Sequence, residues 1–314
     1  MLVELYAKTD VGRIRSGNED NLLVLDLSGA KAWVGFDKQR ADAALPEEFR
    51  RIELGERGLV LVVSDGMGGA LAGDVASRMA VETVRDMLIE DNDSEEGVCP
   101  PETPLIECLR NATEYANFAI HRKSQEDPRC SGMGATLTAA AVTGGTLDFL
   151  QVGDSRAYLI RDAEIKLATK DQSLVQQLVD VGQISEEEAE THMFRNVILQ
   201  ALGAQSELAP VAGRVRLNRE DVLLLCSDGL SGKLRAEDIR QIIKDSKGDL
   251  AAACGALVDE ANRRGGEDNI TVVLARFTGD DLPVPDSRRI TIELPDLDGD
   301  RTLAFDEDDT TENP

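Results

Sequence analysis

The chain has 314 residues, 42 % of them hydrophobic, enough to bury the core of one large domain or two small ones. Its 34 Lys and Arg stand against 59 Asp and Glu, a formal charge of −25 that repels phosphate backbones and anionic headgroups, so nucleic acid and membrane are disfavoured as partners. No apolar segment approaches the roughly 20 residues that span a bilayer, and the start MLVELYAKTDVGR lacks the order of a signal peptide; a cytoplasmic location is expected.

Residues 2 to 27 read as two strands, VELYAKTD and NLLVLDL, joined by the charged VGRIRSGNED. The polar stretch 28 to 57 reads as a hairpin or a surface excursion. LVLVVSDGMGG, at 59 to 69, is an apolar strand that stops on Ser-Asp-Gly, and VLLLCSDGLSG, at 222 to 232, repeats it. After the first, Val75, Ala76, Met79, Ala80, Val84, Met87 and Leu88 recur at helical spacing, and a second amphipathic helix is expected over about 104 to 123. From Gly134 to Thr169 the period shortens to that of a β meander, punctuated by Gly-Gly, Gly-Asp and Arg-Asp. Residues 171 to 203 read as short helices on a surface segment, helices return at about 236 to 246 and 249 to 263, and NITVVLARF is a last strand. Strands and helices fall in separate groups, which favours an α+β architecture of antiparallel sheets with helices outside over a doubly wound fold. Beyond Thr278 the chain is acidic and poor in large apolar residues, and residues 279 to 314 are expected to form a disordered tail.

Five cysteines, Cys99, Cys108, Cys130, Cys226 and Cys254, show no CxxC spacing and read as reduced, mostly buried thiols. With only His121 and His192, a His-rich zinc site and Ser-His chemistry are both disfavoured.

Chemistry concentrates in acids at strand ends. Asp65 and Asp228 close the two Ser-Asp-Gly strands, Asp154 sits in LQVGDSRAY, Asp268 in GGEDNITVV, and Glu19 and Asp20 in SGNEDN. Any one Asp-Gly after a strand is most simply a turn. Converged, however, these carboxylates cannot all be ionised unless cations hold them. Oxygen ligands without His or Cys point to Mg²⁺ or Mn²⁺, and two such ions roughly 3.5–4 Å apart would acidify a bridging water and clamp a phosphoryl group.

TDVGRIRSGNEDN, LVVSDGMGGALAGDVAS, GMGATLTAAAV, VGDSRAYLIR, RNVILQALG, LLLCSDGLSG and GGEDNITVVLARF resemble, in order, the signature segments of the metal-dependent type 2C Ser/Thr protein phosphatases in their bacterial form, over about residues 3 to 277. The resemblance implies a four-layer α-β-β-α sandwich with two central antiparallel sheets. It implies a catalytic domain over 1 to 278 with 171 to 203 as a flap-like segment. By position, Asp65 is similar to the carboxylate that bridges two Mn²⁺ or Mg²⁺ ions, with the Gly66 carbonyl on the second ion and Asp228 and Asp268 on the first. Glu19 and Asp20 match the acidic pair of the second ion, one of them directly and the other through water in either order. Asp154 matches a ligand of a weaker third ion, and Arg15 the guanidinium that grips the substrate phosphate. The implied activity is hydrolysis of phosphoserine and phosphothreonine in proteins, opposite a bacterial eukaryotic-type Ser/Thr kinase.

Several positions depart from the family's pattern. Met67 stands where some eukaryotic relatives have a His, Gln172 where many bacterial members have one in Asp-His-Ser, and Gly232 where many have a further Asp for the third ion. A non-catalytic phosphoprotein-binding module of the same fold is the alternative reading; a nuclease or phosphodiesterase would need a cationic groove. In the tail, Asp296, Asp298, Asp300 and Glu307 are spaced like a calcium loop, but Gly299 is out of place. Thr302, Thr310 and Thr311 lie among acids, where phosphorylation would suit a phosphothreonine-reading domain; an inert solvated tail is the simpler reading.

Overall fold

Every residue of Leu59–Ser64 is buried, although side chains of a strand alternate between two faces. The reason is that both faces are covered. Leu59, Leu61 and Val63 pack into a core between two sheets, while Val60 and Val62 pack outward under helices. The second Ser-Asp-Gly strand behaves alike: Leu223 and Leu225 face the inter-sheet core, Leu224 and Cys226 the helices on the other side. An uninterrupted apolar run is therefore the signature of a central strand in a layered fold.

The computed structural model describes residues 1–35, 45–69, 72–90, 99, 103–284, 289–294 and 303–304. In chain order the strands are β1 (Leu2–Asp10), β2 (Asn21–Asp26), β3 (Lys31–Gly35), β4 (Arg51–Glu53), β5 (Leu59–Ser64) and β6 (Gly66–Met67), followed by helices α1 (Ala72–Glu90) and α2 (Leu105–Glu126). Then come β7 (Gly134–Ala135), β8 (Leu137–Thr143), β9 (Thr146–Val152), β10 (Arg156–Arg161) and β11 (Glu164–Leu167), and the short helices α3 (Leu174–Asp180) and α4 (Glu186–Thr191). The chain continues with β12 (Val211–Arg216), β13 (Val222–Cys226), α5 (Asp228–Ser231), α6 (Ala236–Asp245), α7 (Leu250–Arg263), β14 (Ile270–Thr278), β15 (Glu293–Leu294) and β16 (Leu303–Ala304).

One sheet has the order β11-β10-β13-β14-β1-β4, the other β16-β15-β12-β9-β8-β5-β2-β3, and the pairings are antiparallel. Helices α1 and α2 cover the second sheet, α6 and α7 the first, so four layers form in the order helix, sheet, sheet, helix. This is the expected α+β sandwich. Residues 28 to 57 contribute the β2–β3 hairpin and the edge strand β4; residues 36–44 lie outside the described set. Among the described residues no helix is long and apolar enough to cross a membrane.

Two expectations differ from the structure. Cys99 and Cys108 are bonded to each other, while Cys130, Cys226 and Cys254 are free and buried. Both bonded cysteines belong to the apolar layer under α1 and α2, and that packing, not their spacing, brings the sulfurs together. The segment after Thr278 is ordered where it is described. Leu282 and Ile290 are buried in the inter-sheet core, the Ile290 amide donates to Glu164, and Glu293 pairs with Arg214 at the edge of β12. Two isolated apolar residues suffice because they close an end of a core that already exists. The calcium-like spacing around Gly299 and the threonines at 302, 310 and 311 fall outside the described residues.

One buried ion pair ties this strap to the sheets. Arg161, 6 % exposed, donates to both carboxylate oxygens of the fully buried Asp221 at 2.8 and 2.7 Å, and its remaining donors reach the carbonyls of Arg216 and Arg289. Breaking one partner leaves a buried charge uncompensated. Asp221→Ala is expected to lower unfolding free energy by roughly 3–5 kcal/mol, read from urea denaturation; a loss below about 1 kcal/mol would mean that water reaches Arg161.

Candidate metal centre

Strand register brings the acids to one end of the sandwich. Asn21 lies opposite Ser64, so Asp20 and Asp65 enter from adjacent strands of one sheet. Cys226 lies opposite both Arg156 and Val272, so Asp154, Asp228 and Asp268 gather at the facing end of the other. The spatial sequence is a buried floor of Asp20 and Asp154, half-buried walls of Asp65, Asp228 and Asp268, and Arg15 half exposed at the rim. Each expected site residue is thus brought to this end. A separate cavity of about 220 Å³ lies at the far end of β13 and β14, lined by Arg219, Lys244 and Arg276 among others, away from these acids.

The acids crowd one another. Burial first, then Asp20, Asp228, Asp154 and Asp268, push the Asp65 carboxyl well above the usual aspartate range. Burial is also the main cause at Asp20, raised to about 7, and at Asp228, raised to about 6 with Asp268 next. Asp154 is raised too, by burial and then Asp228. Asp65 and Asp228 lie within hydrogen-bonding reach of each other, which two ionised carboxylates tolerate only with a proton or a cation between them.

Buried oxygens without partners show what the site accepts. Oδ1 of Asp20, of Asp154 and of Asp228 are each enclosed and unbonded. Orphaned acceptors cost free energy unless a cation takes them up, and an all-oxygen set suits Mg²⁺ or Mn²⁺. Among the described residues no three acid, His or Cys side chains close on a single point. The carboxylates line the floor and walls of the site without closing on one point, as fits ions that complete their shells with carbonyls and water.

The second oxygen of Asp20 is fixed. It accepts from Ser227 Oγ at 2.7 Å and Thr271 Oγ1 at 2.6 Å, which leaves Oδ1 aimed into the site. Glu19 is held by its backbone, its amide donating to Asn269 Oδ1 at 2.8 Å and its carbonyl accepting from Ser77. Between the two acids, Asp20 has the freer buried oxygen. Gly66 and Gly229 are required by close approach: a Cβ at Gly66 would meet the Gly73 carbonyl at 2.1 Å, and one at Gly229 the Asn269 carbonyl at 1.9 Å. Arg15 Nη2 donates to Asp268 Oδ2 at 2.8 Å.

Sequence reasoning missed the groups that hold these acids in place. Ser64 Oγ bonds the Thr136 carbonyl, and Thr136 Oγ1 accepts from the Asp65 amide and meets Ser155 Oγ, linking the Asp65 and Asp154 loops. Asn269 donates to the carbonyls of Val11 and Gly17 and accepts from Glu19, so one side chain shapes the whole loop that carries Arg15. The one available signal was the Ser before each Asp-Gly. His121 bonds the Gly203 carbonyl and His192 the Phe194 amide, so both have other work.

Because the folded acids hold protons that an unfolded aspartate releases near pH 3.9, the metal-free protein binds more protons than its unfolded chain between about pH 4 and 7. Its stability therefore falls as pH rises through that window. After dialysis against chelator, the melting temperature is expected to be lower at pH 8 than at pH 5, and manganese is expected to narrow the gap. The reverse order would show that the carboxyls are not crowded. Asn269→Ala is expected to weaken manganese binding about tenfold by calorimetry; unchanged affinity would show that the loop keeps its shape without this side chain.

The profile described as protein phosphatase 2C matches residues 45–260. The serine/threonine phosphatase stp of Listeria monocytogenes is 34% identical over 267 residues, 85% of this chain and 93% of that protein. The crystal structure of the Mycobacterium tuberculosis serine/threonine phosphatase PstP/Ppp superposes with a TM-score of 0.69 at 33% identity, covering 89% of this chain and 100% of the other. A structure of the PstP catalytic domain in complex with two manganese ions gives 0.68 at 31% identity, covering 89% and 100%. This chain belongs to the protein phosphatase 2C family.

Proposed function

We propose that the chain hydrolyses phosphoserine and phosphothreonine esters in proteins, using two Mn²⁺ or Mg²⁺ ions held by Asp65, the Gly66 carbonyl, Asp228, Asp268 and the Glu19/Asp20 pair, with Asp154 serving a third. The observation that carries this reading is the set of three buried, unpartnered carboxylate oxygens, on Asp20, Asp154 and Asp228, gathered with Asp65 at one end of the sheets. Divalent ions bound there would supply Lewis-acid chemistry, acidifying a water and neutralising phosphoryl charge.

The protein's own groups do the rest. Arg15, tethered to Asp268 by one nitrogen, keeps its other donors for the phosphate of the substrate. Neither the hydroxyls nor the thiol beside the acids is ready to act as nucleophile, and the carboxylates would be committed to the ions. Ser64 and Ser227 spend their hydroxyls on Thr136 and Asp20, and burial raises the Cys226 thiol to about 12. Direct attack by water follows, without a phospho-enzyme. With Met67 in place of an imidazole, the leaving alkoxide takes its proton from water or a carboxyl.

The catalytic unit we assign spans residues 1–278, with 171–203 as its flap and residues 279–284 and 289–294 strapped onto it. Its substrates would be the products of a Ser/Thr kinase, and a cytoplasmic location belongs to the same proposal. The non-catalytic alternative has no observation in its favour, since each carboxylate of the expected set is present at the site.

Phosphate release from a phosphothreonine peptide is expected with Mn²⁺, absent with chelator, and reduced at least about 100-fold in Asp228→Asn. Release should rise from pH 6 to pH 8, as it would where deprotonation of a water on the bound ions limits the rate. A folded protein that binds manganese and releases no phosphate would restore the non-catalytic reading.

A further inference from the structure

Gln172 makes contacts that the proposed chemistry does not use. Its backbone amide donates to the Gly153 carbonyl at 3.0 Å, and its side-chain Oε1 accepts from the Gly153 amide at 2.7 Å. Both polar groups of the residue preceding Asp154 are therefore held by one residue. Gly153 has little freedom to move, since it sits at φ +98° with Thr136 closely packed over its Cα. Gln151 adds to the hold, its Nε2 donating to the carbonyls of Gly153 and Ser155 at 2.9 and 2.7 Å.

The same amide faces the other way. Gln172 Oε1 also accepts from Gln200 Nε2 at 3.3 Å, and the Gln172 carbonyl accepts from the Leu199 amide at 2.8 Å. Leu174 N–H bonds the Val197 carbonyl at 2.8 Å, and Ser173 pairs with Ile198, so the two ends of segment 171–203 are zipped together at their base. Gln200 in turn clasps Ala209 through both amide atoms. Beyond this base the segment carries exposed apolar side chains, Val181, Met193 and Phe194, a surface on which a protein substrate can rest.

We propose that Gln172 is a positioning residue that joins the flap base and the Asp154 loop into one hydrogen-bonded unit, so that a protein substrate seated against the flap sets the Asp154 carboxylate. The inference rests on the phosphatase reading for its substrate, and on the hydrogen bonds alone for the coupling. Asp154 is suited to respond because its Oδ1 is buried and unpartnered. A glutamine at 172 carries no titratable proton, so the joint keeps its strength across the pH range in which the neighbouring carboxyls change charge.

The test is a double-mutant cycle with Gln172→Ala, Gln200→Ala and the double variant in the full chain, read in two ways. Hydrogen exchange is followed in residues 151–156 and 194–202. Turnover is measured on a phosphothreonine protein and on an aryl phosphate too small to reach the flap. Gln200→Ala, which makes no hydrogen bond to Gly153, is expected to speed exchange in 151–156 as well as at the flap base. It should lower kcat/KM for the phosphoprotein up to about tenfold, the upper end of what one part-buried hydrogen bond contributes, and leave the aryl phosphate within about twofold. The double variant is expected to be no worse than the worse single one, as for two residues in one chain of contacts. Unchanged exchange in 151–156, equal losses on both substrates, or losses that multiply would each overturn the coupling. A wild type without turnover would refute the phosphatase reading instead, and the exchange data would still decide the coupling. Should Gln172→Ala fail to fold, Gln200→Ala alone answers the exchange question.

Discussion

Like charge held out of water is the constraint on which this molecule turns. The carboxyls of Asp20, Asp65, Asp154 and Asp228 are raised by burial and by one another. Folding brings them together at a cost that the chain offsets only in part, because Arg156, which favours the charged forms of Asp154 and Asp228, is itself paired with Asp171, and Arg15 stays at the rim. The surrounding hydroxyls limit that cost without cancelling it. Ser227 and Thr271 satisfy one oxygen of Asp20 and leave the other bare. A site of this kind is unfavourable as built and favourable once cations enter, so binding energy and folding energy are linked.

The rigid frame that enforces this crowding is the two-sheet core. Strands buried on both faces cannot slip by one residue, since a slip would move Leu59, Leu61 and Val63 from the inter-sheet core to the helix face. Register thus places Asp65 and Asp228 at fixed heights, and the glycines after them let backbone approach where a Cβ would collide. The acids need no local strain of their own to be held close.

Much of this was legible from local pattern. The runs at 59–63 and 222–226, the helical stripe from Val75 to Leu88 and the acids at strand ends are each encoded within a dozen residues. What could not be read joins distant parts of the chain. Asn269 reaches Val11 and Gly17, Thr271 reaches Asp20, and Gln172 reaches Gly153, contacts between polar residues that any loop could contain. The Cys99–Cys108 bond was missed for a related reason, since it depends on packing under two helices. Leu282 and Ile290 were passed over because two apolar residues in an acidic segment promise no core of their own. They add to one built by others.

Charge then orders the events at the site. Across a chain of −25 most pairs of charges lie beyond the Debye length of about 8–10 Å, so what a phosphate meets is the local set. That set is Glu19, Asp20, Asp65, Asp154, Asp228 and Asp268 against Arg15, a formal excess of about five negative charges if all were ionised. A phosphate dianion is repelled from such a place, while a divalent cation is drawn in. Two divalent ions would reduce the excess to about one negative charge, and a third would turn it positive. Under the proposed assignment substrate would enter only after the cations, and Asp154, serving a third ion, would decide the sign of the field that receives it. This gives a physical reason for the loop around Asp154 to be held from both sides, by Gln151 and by Gln172.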